Sequence, residues 1–224
     1  ATTGLTINWE MPSQIALTSF DGTTYAYVGD VGATDPDTGE PDAHVGQVYQ
    51  CAVNNTDGTF SSCAAPVSTG ALGSSSLAIG KAGNGSQYLY IAGYSDENPI
   101  QCALNNLTSS ISSCVAFTSD ALINPNAAFF TSINGLAHLY IEDHFTGAIK
   151  NYLLNINGSE NSNTSYEFPI NPPSLAGINF STVGSTEYAY LTDYSSDQSI
   201  NGQQGYNGGK IWRCGVDQAT SALY

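Results

Sequence analysis

A seven-residue stretch, Thr24-Tyr25-Ala26-Tyr27-Val28-Gly29-Asp30, recurs three more times, and this repetition constrains the fold more than any other feature of the chain. The later copies are Gln87-Tyr88-Leu89-Tyr90-Ile91-Ala92-Gly93, Ala137-His138-Leu139-Tyr140-Ile141-Glu142-Asp143 and Glu187-Tyr188-Ala189-Tyr190-Leu191-Thr192-Asp193. Measured between the second aromatic of each copy, the steps are 63 (Tyr27 to Tyr90), 50 (Tyr90 to Tyr140) and 50 (Tyr140 to Tyr190). Self-similarity at such a period is the signature of a repeat architecture, in which each unit buries its apolar face against the next. The units run over about 13–66, 67–117, 118–168 and 169–224, and stacking would join them into one domain over 1–224.

Each unit reads as four short strands. The first is Ile15-Ala16-Leu17-Thr18 in unit one, with counterparts at Leu77-Ala78-Ile79, Ala128-Phe129-Phe130-Thr131 and Ile178-Asn179-Phe180-Ser181. Turns at Asp21-Gly22, Asn84-Gly85, Asn134-Gly135 and Gly184-Ser185 lead into the Tyr-x-Tyr strand. Asx-Gly between two apolar runs marks a hairpin, because both central residues reach positive φ at little cost. The Tyr-x-Tyr strand is apolar on both faces, so it must be covered on both, as in sheets stacked face to face. A third strand follows, containing Cys51, Cys102, Tyr152 or Cys214. A short polar fourth, Thr59–Cys63 in unit one and Ser110–Cys114 in unit two, has the composition of an outer edge. No helical stripe interrupts the strands. The expected fold is therefore an all-β propeller of four blades, each with four antiparallel strands, or a portion of a larger propeller. Thr6-Ile7-Asn8-Trp9 is placed beside the last blade to close a four-bladed ring.

The cysteines carry a redox statement. Cys51 and Cys63 are 12 residues apart, as are Cys102 and Cys114, and each pair occupies the same place in its unit. Without a C-x-x-C element, in a composition typical of exported proteins, this spacing reads as two local disulfides and an extracytoplasmic location, secreted or periplasmic. Cys214 holds the same position as Cys51 and Cys102. Its counterpart would fall at 226, so it either pairs with a cysteine beyond the given sequence or is a free thiol. The start at Ala1, with no Met, fits a processed chain or an edited one.

Charge narrows the partners. Four basic against 19 acidic residues give a net charge of −15, which repels phosphate backbones and anionic membrane surfaces. No run of about 20 apolar residues is present to span a bilayer. Nucleic acid and membrane insertion are thus disfavoured, and a glycan or protein partner is expected. Asn-x-Ser/Thr sequons occur at Asn54, Asn84, Asn106, Asn157, Asn163 and Asn179.

Tyr-x-Tyr-hydrophobic-x-Asp, followed in unit one by Cys51-x-Val53-Asn54 through Gly58-x-Phe60-x-x-Cys63, resembles the YVTN and NHL class of propeller repeats, including cysteine-bearing forms in secreted bacterial proteins. The similarity runs from about Ile15 to Tyr224. It implies the blade but not an activity, since such propellers include lactonases, scaffolds and binding proteins. The lactonase-like members imply a divalent metal at the channel mouth. Asp30, Asp143 and Asp193 share the one repeat position suited to it, with Gly93 in the remaining unit. An Asp at a strand end more commonly accepts hydrogen bonds from its own turn, and that is the favoured role here. The Glu/Asn/Asp cage and His that a lactonase needs are not recognisable in any unit.

Blade connectivity places function on one face. The loops between the second and third strands are short in the middle units and long in the first (31–46) and last (194–209). Long loops in a propeller are candidates for binding. The first contains Asp35-Pro36-Asp37-Thr38-Gly39, a weak match to the opening of a calcium loop. Ca²⁺ or another divalent cation is accordingly the one cofactor considered. The last mixes Tyr194, Asp197, Asn201, Gln203, Tyr206 and Asn207, a surface able to stack on sugar faces and bond hydroxyls. His44 and His144 lie on the same face, while His138 falls within a strand. No Gly-x-Ser-x-Gly elbow or His-Glu-x-x-His is present. The expectation is a secreted, non-enzymatic binding propeller that recognises a glycan or protein through these loops. The alternative is a metal-dependent, lactonase-like hydrolase.

Overall fold

A computed structural model describes residues 12–30, 45–72, 74–93, 98–118, 122–143, 146–167, 175–193 and 210–224. These residues form sixteen strands in four antiparallel sheets, with no helix among them. Blade one contains β1 (Pro12–Phe20), β2 (Thr23–Asp30), β3 (Val45–Val53) and β4 (Phe60–Cys63), with β5 (Val67–Leu72) also paired to β3. Blade two contains β6 (Ser74–Lys81), β7 (Gln87–Gly93), β8 (Ile100–Leu104) and β9 (Ile111–Ala116). Blade three is β10 (Pro125–Ile133), β11 (Leu136–Asp143), β12 (Ala148–Leu154) and β13 (Glu160–Glu167). Blade four is β14 (Leu175–Val183), β15 (Thr186–Asp193) and β16 (Lys210–Gly215), with an isolated Val216–Leu223 bridge after them.

The first hairpin of each blade forms where the Gly-containing pairs lie. Asp21 and Gly22 have φ of 45° and 79°, and Asn134 and Gly135 have φ of 51° and 78°. Both central residues are left-handed, which matches the twist of the strands they join.

The Tyr-x-Tyr strands β2, β7 and β11 are buried along both faces, whereas β15 is buried on the face toward blade three and partly exposed on the other. Tyr27 packs with Leu77, Leu89 and Ile91 between blades one and two. Tyr90 packs with Leu139, Ile141 and Tyr152 between blades two and three. Tyr140 packs with Ile178, Ala189 and Leu191 between blades three and four. A buried tyrosine of this size removes on the order of 200 Å² from water, so these layers dominate cohesion. The inner strands follow the order β1, β6, β10, β14, each packed on the next. Packing of that kind does not join β14 to β1 among the described residues. Accordingly Ile15 and Leu17, on the outer face of blade one, are 54% and 64% exposed. Thr6 to Trp9, expected to close the ring, lie outside the described residues.

Both expected disulfides are present, Cys51–Cys63 and Cys102–Cys114, each joining directly paired residues of the third and fourth strands. In blade three Tyr152 takes the cysteine position opposite Asn163, and its ring meets Phe117 edge-on at 5.1 Å. Cys214 is free and buried, and burial pushes its thiol pKa up. No helix among the described residues is long and apolar enough to cross a membrane.

Candidate functional site

Every blade carries an irregularity at the same place. The register slips between Pro12 and Gln14, Ser74 and Ser76, Pro125 and Ala127, and Leu175 and Gly177, so one residue of each inner strand is left opposite nothing. A bulge of this kind bends the strand and re-aims its side chains, and bulges concentrate beside functional sites. Here all four lie at the end of the arc where β2, β7, β11 and β15 terminate.

At that end the inner strands surround a cavity of about 190 Å³. Ser13, Gln14, Ser76, Asn126, Ala127 and Gly177 line it, so all four blades contribute. A second cavity of about 240 Å³ continues along the same strands past Leu77, Ala128, Phe129 and Asn179. The rim is knitted across blades. The Leu77 amide donates to Gln14 Oε1, and the Ala128 amide donates to Ser76 Oγ at 2.9 Å. Amides and hydroxyls lacking formal charge suit a ligand that both donates and accepts, such as a neutral polyol.

Asp30, Asp143 and Asp193 stand at the rim in matching register, opposite Pro12, Pro125 and Leu175, and all three are buried. Asp143 accepts from the Ile123 amide at 2.9 Å and the Thr146 amide at 3.3 Å, so it ties the exit of β11 to the approach to β10. The Trp212 indole N–H donates to Asp193 at 3.4 Å. Among the described residues, no three His, Cys, Asp or Glu side chains converge as a metal cage. Asp30, Asp143 and Asp193 are thus not gathered into one cluster, and no chemistry is routed through a cation here. Asp35, Asp37, His44, His144, Tyr194, Asp197, Asn201, Gln203, Tyr206 and Asn207 lie outside the described residues.

Sequence reasoning passed over Glu142. It occupies the repeat position that holds Gly29, Ala92 and Thr192 in the other blades, opposite Ala127 of the cavity wall and Ile149 of β12. It is fully buried, and neither carboxyl oxygen has a hydrogen-bond partner. Burial pushes its pKa up to about 9, and the neighbouring Asp143 charge adds to the rise. Glu142 is thus a carboxylic acid that keeps its proton at neutral pH, one strand behind the cavity. Asn124, just before β10, likewise has a buried side-chain oxygen with no partner. The available signal was the single acidic residue where the other three units carry Gly, Ala or Thr.

No protein-family model matches the sequence, and no curated protein does. Solved structures do resemble the fold. A GH43 β-xylosidase/α-arabinofuranosidase from a compost microbial metagenome, in complex with xylotriose, is similar over 97% of this chain and 74% of its own, at 14% identity and a TM-score of 0.62. A GH43_1 enzyme from Xanthomonas citri is similar over 97% of this chain and 74% of its own, at 13% identity and a TM-score of 0.61. An exo-β-1,3-galactanase from Phanerochaete chrysosporium with β-1,3-galactotriose is matched by the whole of this chain, which spans 50% of that one, at 10% identity and a TM-score of 0.64. At these identities the likeness is one of fold, and it supports the β-propeller. It corrects two expectations from the sequence. The neighbours are glycoside hydrolases and not YVTN/NHL repeat or lactonase-like proteins. For the same reason a non-enzymatic binding propeller, and the lactonase-like hydrolase set against it, are both set aside.

Proposed function

We propose that this chain is an extracytoplasmic propeller that hydrolyses glycosidic bonds in neutral oligosaccharides, bound at the bulged end of its central cavity. The observation that carries this reading is the resemblance, over 97% of the chain, to enzymes crystallised with xylo-oligosaccharides, joined to an uncharged polar cavity that all four blades line. The two disulfides fit an oxidising compartment, where polymeric glycans are met.

Glycoside hydrolysis needs one carboxylic acid to protonate the leaving oxygen and a carboxylate to take a proton from the attacking water or to attack the sugar directly. Glu142 is assigned the first: burial pushes its pKa up to about 9, and it pairs with Ala127 of the cavity wall without itself lining the cavity. Asp30 and Asp193, at the ends of β2 and β15 on the same rim, are assigned the second. The net charge of −15 disfavours acidic glycans, so xylan-, arabinan- and galactan-derived oligosaccharides are the substrates to try.

The test is release of reducing sugar from such a panel by the purified protein, with Glu142→Gln, Asp30→Asn and Asp193→Asn alongside. Turnover by the parent that Glu142→Gln abolishes, while oligosaccharide binding persists, supports the reading. No turnover on any neutral glycan by the folded protein would sink it.

A further inference from the structure

We propose that the boundary between blades three and four is a proton-sensitive latch, in which His138 senses pH and the turn carrying Ser221 is the element it releases. His138 stands where the other units have Tyr25, Tyr88 and Tyr188, so of these four equivalent positions this one carries a titratable imidazole. The ring is almost wholly buried and is bonded on both sides. Its Nδ1 lies 3.0 Å from Asn151 Oδ1, and its Nε2 lies 3.1 Å from Ser221 Oγ.

The hydrogens in this network can be assigned by elimination. Asn151 Nδ2 donates to the Ser221 carbonyl at 3.2 Å, which turns the amide oxygen toward His138. An amide oxygen only accepts, so Nδ1 carries the hydrogen. Nε2 is then bare and accepts from the Ser221 hydroxyl. The Tyr140 hydroxyl fills the remaining lone pair of the Ser221 carbonyl at 2.7 Å. One neutral tautomer satisfies every atom, whereas a proton on Nε2 reverses the bond to Ser221 Oγ and deprives the buried hydroxyl hydrogen of its acceptor. The same three residues do not make a nucleophile and base. Ser221 is 5% exposed, and its amide is committed to the Asp217 carbonyl at 2.7 Å, which leaves no adjacent donor for an oxyanion.

The carboxylate that faces His138 opposes the cost of burying a charged ring but does not outweigh it. Glu187 of β15 faces His138 from the next blade, but it already accepts from Thr131 Oγ1 at 3.3 Å and Gln218 Nε2 at 3.1 Å. Asp217, at the start of the turn, accepts from the amides of Ala219 and Thr220. Lys150 and Arg213 neighbour Asn151 and Cys214 in their strands and so project from the opposite faces of their sheets. Burial pushes the Tyr140 and Cys214 pKa values up, so both are neutral at physiological pH. Burial lowers the His138 pKa, against smaller upward pulls from Asn151 and Glu187.

The sign follows from linkage. A histidine whose folded pKa lies below its unfolded value of about 6.5 binds fewer protons when folded, so its contribution is intact above that pH and is lost as pH falls. Acidification therefore frees the turn at 217–224 from blade three before it affects the disulfide-bonded blades.

Amide hydrogen exchange of the full chain tests this, compared at about pH 8 and about pH 5 and corrected for intrinsic exchange rates. The expected result is a loss of protection of about tenfold or more at Ser221 and Tyr224, with strands β6 to β9 unchanged. In His138→Gln, which keeps a neutral donor and acceptor, the pH response should vanish. In Glu187→Gln it should remain. A response retained in His138→Gln or abolished in Glu187→Gln overturns the proposal, as does no response in the parent. Nitrogen chemical shifts of His138 give a reading that needs no variant: Nδ1–H supports the latch, and Nε2–H refutes it.

Discussion

The Tyr140 hydroxyl donates to the Ser221 carbonyl at 2.7 Å across the boundary between blades three and four. The same bond recurs at the other two packed boundaries, from Tyr90 to the Gly158 carbonyl at 2.9 Å and from Tyr27 to the Ser109 carbonyl. The second tyrosine of each of the first three repeats thus reaches a left-handed turn residue of the next blade, with φ of 59° at Ser109, 79° at Gly158 and 59° at Ser221. The motif that announces the repeat is also the bolt between repeats.

Removing the bolts should have unequal effects. Ser221 O keeps Asn151 Nδ2 as a second donor, whereas the described contacts give Gly158 O only Tyr90. Tyr140→Phe should then cost about 1 kcal/mol, the net value of one hydrogen bond, while Tyr90→Phe, which orphans a buried carbonyl, should cost about 2 kcal/mol. Urea denaturation of both variants checks the order. Equal losses would mean that the bonds contribute less than the packing of the rings.

The turn residue itself offers a matched comparison. Gly58 and Gly158 hold equivalent turns with φ of 74° and 79°. A Cβ at Gly58 meets nothing within 4 Å, but at Gly158 it would lie 2.7 Å from Tyr88 Cδ2 and 2.8 Å from Gln101 Nε2. Gly58→Ala should cost only the left-handed strain, about 1 kcal/mol. Gly158→Ala adds displacement of an interblade tyrosine, with a total of about 3 kcal/mol expected. Thermal melts should show the larger drop for Gly158→Ala.

Much of this was legible in the sequence because period-2 strands and Asx-Gly turns are local signals. The hairpins at Asp21-Gly22 and Asn134-Gly135 needed no tertiary information, and the cysteine spacing of 12 followed from direct pairing across two strands. The cavity was not legible, because a rim drawn from Ser13, Gln14, Ser76, Asn126 and Gly177 is made of single residues about one repeat apart. None of them is distinctive alone. Glu142 was hidden for a related reason: within its own strand it reads as an ordinary acidic end residue, and only the depth of the blade stack makes it unusual. Asp143, beside it, does what strand-end aspartates commonly do.

The disulfides should act locally. Each closes a loop between residues separated by 12 positions, worth about 3 kcal/mol in the chain-entropy treatment. Cys102→Ser with Cys114→Ser should lower stability by about that amount, and blades three and four should retain their exchange protection. Tyr152 occupies the corresponding place in blade three and is fully buried there, so a packed ring replaces the bridge without loss of the strand pair. Loss of protection throughout the chain would show that the bridges set the whole fold.

Glu142 gives the sharpest pH prediction. Its folded pKa of about 9 lies above the ordinary value of 4.5, so the folded chain holds a proton that the unfolded chain releases. Its contribution is most favourable below about pH 4.5 and is progressively lost as pH rises to about 9, which is the sign for a raised acid. Glu142→Gln removes that titration while keeping a neutral side chain of the same size. The variant should therefore gain stability over the parent as pH increases from about 5 to about 9, with the two curves diverging steadily across the window. Chemical denaturation at several pH values reads this without reference to activity. If the stability difference between parent and variant is independent of pH, Glu142 is ionised in the folded chain, and its assignment as the proton-holding acid beside the cavity wall falls with it.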